Sequence, residues 1–121
     1  MNYKVIKKED LVYIVFDSNE EQLKREEEAT DYISKCWEND TNYLVFYDKS
    51  LSDDFFNLKT RLAGMVLQKF MNYKIRVGVI IENEDRLNDR FREMILESNK
   101  GNDFRTFKNI TEAENWLLKL K

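Results

Sequence analysis

A chain of 121 residues is long enough for one hydrophobic core and too short for two comfortable ones, so a single domain over residues 1–121 is expected. With 42% hydrophobic, 13% aromatic and 36% charged residues it reads as globular, and a net charge of −3 with scattered basic residues offers no cationic face for a nucleic-acid backbone. The absence of histidine excludes His-activated nucleophiles and mixed Cys/His zinc sites, which leaves carboxylates, lysine, tyrosine or a cofactor for any catalysis.

No apolar run approaches the roughly 20 residues of a membrane span, and the amino terminus alternates too polarly for a signal peptide. A cytoplasmic protein is expected. The one cysteine, Cys36, cannot form an internal disulfide and suits a small buried hydrophobe.

Residues 3–6 and 11–16 are rich in Val, Ile, Tyr and Phe and are separated by a charged quartet, which predicts an opening β-hairpin. Ser18 precedes Glu21 by three residues, the capping-box spacing, so a first helix is predicted from there to about Trp37, with Leu23, Ala29, Ile33, Cys36 and Trp37 inward. The turn cluster at 39–42 leads to YLVFY, residues 43–47, apolar on both faces like a central strand. A second helix is predicted from the Ser52-Asp53-Asp54 start to about Met71.

Residues 75–81 form the next predicted strand, and 86–98 a third helix with Leu87, Phe91, Met94 and Ile95 on one face. Gly101 is placed as its left-handed stop. A short edge strand at 104–107 precedes a fourth helix, capped at Thr111, with Ala113, Trp116, Leu117 and Leu120 inward. Hairpin followed by alternating helices and strands implies an α/β fold: a mixed, largely parallel sheet of about five strands with four helices.

The second helix carries more apolar surface than one sheet needs. On a projection at about 100° per residue its hydrophobic residues spread over roughly 240°. The surplus calls for cover by a neighbouring helix or by another subunit. Gly64, opposite the main stripe, costs helix stability of about 1 kcal/mol relative to alanine, which a close backbone approach would offset. The short link 72–74 turns the chain directly into the next strand.

Asp17, Asp48 and Glu82 each follow a predicted strand. In parallel strands those ends share one sheet edge, where open α/β sheets bind ligands, and three converging carboxylates could hold Mg²⁺. The competing reading is that acids after strands bond nearby backbone, and no DxD motif accompanies them. Asp48 and Lys108 stand in the order of a phospho-acceptor receiver domain, but the acidic pair near the first strand is missing. The three glycines form no phosphate-cradling loop. No cofactor is expected.

The run FFNLKTRLAGMVLQKFMNYKIRVGVI, followed by ESNKGND, resembles an uncharacterised bacterial family, family 4180 of the domains of unknown function. The resemblance covers most of the chain and is clearest from residue 54 to 103. In its order of elements that family is similar to STAS domains. The STAS resemblance implies a non-catalytic module that binds a protein partner or a small ligand through the loop before the second helix and the start of that helix. Here that region holds Asp48, Ser50, Ser52, Lys59 and Arg61. The Asp-Ser pair followed by glycine that carries a phosphorylation switch in such domains is absent. Arg61 and the loop 82–85 also depart from the nearer family, each standing where a glycine is expected.

The expected function is therefore a cytoplasmic interaction or regulatory module without catalysis, using a protein partner or self-association through the second helix. The alternative is a small-ligand or metal-binding domain, or a carboxylate-based enzyme, built on Asp17, Asp48 and Glu82.

Overall fold

A computed structural model describes all 121 residues. Five strands form one sheet in chain order: β1 (Lys4–Lys8), β2 (Leu11–Phe16), β3 (Tyr43–Tyr47), β4 (Arg76–Ile80) and β5 (Phe104–Phe107). β1 pairs antiparallel with β2, and every later pair is parallel. The α/β class, the hairpin and the mixed sheet are as the sequence predicts. Helices α1 (Ala29–Glu38), α2 (Asp53–Phe56), α3 (Leu62–Asn72), α4 (Asp89–Ser98) and α5 (Ile110–Leu120) complete the fold.

Strand order equal to chain order has a consequence for the layers. Parallel crossovers are right-handed, so connections that always step in the same direction put their helices on one face of the sheet. The large core accordingly joins Ile14, Phe16, Leu44, Phe46, Val77 and Val79 to helices α1, α2, α3 and α4. Phe16, Tyr32 and Phe46 pack their rings at 4.7 to 5.6 Å at its centre.

Strand alternation sends Tyr13, Val15, Val45 and Ile80 to the opposite face, which α5 covers with Ala113, Trp116 and Leu117. Gly78 lies on this face too, where a Cβ would stand in ordinary van der Waals contact, 3.4 Å from Phe107 and 3.7 Å from Trp116. From the middle of α5, Glu114 accepts hydrogen bonds from the Tyr13 hydroxyl and from Lys8 at 3.1 Å, fastening the helix to the hairpin. The Tyr13 bond holds the Glu114 carboxyl below its ordinary range, against burial, which raises it.

The first helix differs most from expectation. Ser18 accepts the Glu20 N–H in a local turn, and the helix begins only at Ala29 after a 3-10 turn at Glu26–Glu28. The intervening segment instead runs extended. Leu23 donates to Ser50 O at 3.0 Å and accepts from Ser52 N at 3.1 Å, and its side chain is fully buried. A helix through EEQLKREEE would have no apolar face beyond that leucine and so little to bury against the sheet. Trp37, expected inward, is 52% exposed, because at about 100° per residue it lies roughly 90° from the middle of the buried stripe Ala29, Tyr32, Ile33 and Cys36.

The predicted second helix is two helices. Arg61 adopts a left-handed conformation, φ 67°, and divides α2 from α3. The break resolves the surplus of apolar surface, since Phe55 and Phe56 turn to pack on Phe91 of α4 at ring distances of 6.0 and 5.2 Å. Met65 and Met71 remain 38% and 42% exposed. Asn88 caps α4 through Phe91 N, so that helix starts at Asp89 and not at 86, and Asn109, not the predicted Thr111, caps α5 through Glu112 N. Gly101 is not left-handed, as no glycine has positive φ.

Cys36 is fully buried on α1, and burial pushes its thiol up to about 12. The unfolded thiol ionises near 9.0, so between those values the unfolded chain releases a proton that the folded chain keeps, and stability falls as pH rises. Buried Tyr13 and Tyr32, both raised, act in the same direction at alkaline pH. The urea midpoint is therefore expected to drop between pH 8 and pH 10.5, and iodoacetamide to label Cys36 at pH 8 only in the denatured chain. Rapid labelling of the folded protein would contradict this burial.

Candidate functional site

The carboxyl edge of the sheet is organised around Asp48. Immediately after β3 the chain enters a 3-10 turn at Asp48–Ser50, and Asp48 is 3% exposed. Its Oδ2 accepts the backbone N–H groups of Glu82 at 3.1 Å and Asn83 at 2.9 Å. One carboxylate thus ties the loop after β3 to the loop after β4. The second tie is Arg86, whose guanidinium donates to the carbonyls of Asp48 and Leu51 and to Asp53 Oδ1. It also lies 4.4 Å over the Phe56 ring. A flat, five-donor group suits this position, where a lysine would satisfy fewer acceptors.

The three acids proposed as a metal set do not converge. Asp48 turns to backbone amides, Asp17 pairs with Lys4 at 3.2 Å, and Glu82 is exposed. Nowhere do three Asp, Glu, Cys or His side chains gather as metal ligands would. Asp17 and Glu82 instead lie near Tyr47, whose hydroxyl is raised above its ordinary range first by burial and then by those two charges. The backbone-bonding habit of acids after strands accounts for Asp48.

Of the residues that the STAS resemblance implies for partner contact, Ser50 is 1% exposed and its Oγ lies 2.7 Å from Tyr47 O and 3.1 Å from Phe16 O. It is a fastening inside the edge. Ser52 Oγ is the one buried side-chain polar atom without a partner. Lys59 and Arg61 are exposed. Arg61 stands four residues before Met65 and accepts the Met65 N–H through its carbonyl, so it opens the outer face of α3.

That outer face is the surface that sequence periodicity only half revealed. Gly64, Met65, Gln68, Lys69, Asn72 and Tyr73 line a shallow depression together with Glu26 from the neighbouring 3-10 turn. A Cβ at Gly64 would meet nothing within 4 Å, so the glycine opens onto solvent. At the carboxyl end of the helix, Tyr73, 48% exposed, packs edge-on against Trp37 at 5.6 Å. The signal for that pair lay in the helical projection, which puts Trp37 at the border of the stripe Ala29, Tyr32, Ile33 and Cys36. Arg86 carried no signal beyond its charge, because its acceptors are brought together only by the fold.

No helix is long and apolar enough to cross a membrane. No curated protein and no solved structure matches the chain. Residues 8–117 match the family described as Domain of unknown function (DUF4180), and the chain belongs to that family.

Proposed function

We propose that this protein is a cytoplasmic, non-catalytic interaction module, STAS-like in its order of elements, which docks through the outer face of α3. The observation that carries the reading is the exposed Met65 and Tyr73 on the depression that holds the open Gly64, with Trp37 of α1 against Tyr73, beside a helix whose other side is buried in the core. Aromatic residues and methionine are enriched at protein interfaces, and a glycine allows another backbone to come close.

The occupant that fits this face is a second copy of the chain. Glu26 and Lys69 lie on the same depression, carry opposite charges and take part in no ion pair. A two-fold axis on this face that set Glu26 of one copy against Lys69 of the other would give the self-complementarity that isologous dimers require. Arg61 would lie at the rim.

Light scattering tests this. The 14.7 kDa chain is expected to have a solution mass of about 29 kDa. Gly64→Arg should reduce it to the monomer. Glu26→Lys and Lys69→Glu should each weaken the dimer, and the double charge exchange should restore it. A native monomer, or a dimer indifferent to all four variants, would overturn the assignment.

A further inference from the structure

A half-open groove of about 380 Å³ runs beside the outer edge of β5, between α4 and the start of α5. It lies beyond the carboxyl ends of β4 and β5, the usual position for ligands of open α/β sheets, and its size falls within the small-molecule range. Ile81, Leu87, Ile95 and Phe107 give it an apolar lining.

Four charged side chains also line it, and two of them are already committed. Arg92 pairs with Glu84 at 3.1 Å and donates to the carbonyls of Glu84 at 2.7 Å and Leu87 at 3.3 Å, anchoring the loop before α4. Lys108 and Glu112 take part in no ion pair. The one side-chain contact of Glu112 is a long bond from Asn109 Nδ2 at 3.5 Å. One free cation and one free anion therefore stand over an apolar floor.

An extended peptide is disfavoured as the occupant. Ladder bonds from Val77 N to Asp103 O and from Ile81 N to Phe107 O show that residues 103 and 107 turn their backbone to β4, so the alternation turns Thr106 outward. Its outward N–H is already taken by Asn99 Oδ1 at 3.0 Å, and Asn99 Nδ2 lies 3.4 Å from Thr106 Oγ1. This amide occupies the place of a neighbouring strand and closes the edge to strand addition.

We propose that the groove binds a small zwitterion with an apolar tail, the chemistry of an apolar α-amino acid. Its carboxylate meets Lys108, its ammonium meets Glu112, and its side chain lies over Ile81, Leu87 and Ile95. A ligand carrying only one of the two charges leaves one protein charge unpaired and, if anionic, faces Glu112 directly.

Methyl NMR titration of the full chain with leucine, isocaproate and isopentylamine tests the site. Leucine, at up to about 10 mM, is expected to shift the methyl resonances of Ile81, Leu87 and Ile95. The two single-charge analogues should bind at least about tenfold more weakly, and Lys108→Gln and Glu112→Gln should each weaken leucine by a similar factor. Both side chains are at the surface, and the ligand comparison needs no variant. Absence of shifts with leucine, or equal binding of either analogue, would overturn the proposal.

Discussion

Replacement of Phe91 by alanine is expected to cost about 4 kcal/mol and to lower the melting temperature by roughly 15 °C. The ring is fully buried and lies against both Phe55 and Phe56, so its removal leaves a cavity between α2 and α4 that two other rigid rings cannot fill. Phe91→Leu retains most of the volume and should lose about 1 to 1.5 kcal/mol. Thermal and urea unfolding of both variants provide the comparison. A loss below about 1 kcal/mol for the alanine variant would mean that the aromatic contact does not hold α2 in place.

Asp48→Ala is expected to cost about 3 kcal/mol, because it removes the buried carboxylate that accepts the Glu82 and Asn83 backbone N–H groups and loosens the carbonyls held by Arg86. Asp48→Asn keeps an oxygen able to receive the same two donors and loses only the charge, so about half of that cost is expected. The pair separates a fastening from a ligand site. If Asp48 acts as a fastening, Mg²⁺ leaves the melting temperature of the native chain unchanged, and the two variants rank by the acceptors they retain. A rise with Mg²⁺ that Asp48→Asn abolishes, or a measurable turnover lost in that variant, would restore the reading in which Asp48 serves chemistry. Arg86→Lys is a useful companion, since a lysine cannot reach three acceptors and cover Phe56 together.

The same carboxylate shows how sequence and fold divide the information. That Asp48 follows a strand, and that acids there bond backbone, was legible in the chain. The identity of its partners was not, because Glu82 and Asn83 are 34 and 35 residues away and meet it only when β3 and β4 align in register. Arg86 is hidden for the same reason: the three acceptors it reaches lie 33 to 38 residues earlier in the chain.

Local pattern decided the class of fold, the five strands, the hairpin and the inward face of most helices, because hydrophobic period is a property of neighbouring residues. The three departures all come from competition between local and distant partners. The segment before α1 gives up a helix so that Leu23 can be buried beside Leu51. Arg61 accepts a left-handed backbone, a strain near 1 kcal/mol that burying Phe55 and Phe56 against Phe91 outweighs. Trp37 is left outside because it stands at the border of the helix stripe that Ala29, Tyr32, Ile33 and Cys36 fill.

The chain's composition and spacing thus specified a mixed α/β sheet flanked by amphipathic helices and ruled out histidine chemistry. Only the tertiary structure decided where the polar groups go. Periodicity shows which residues leave water, but hydrogen bonds and ion pairs join residues far apart in the chain. The sheet register turned Asp48 into a fastening between two loops, and the packing of helices on the sheet left the outer face of α3 open and Lys108 and Glu112 unpaired above an apolar groove.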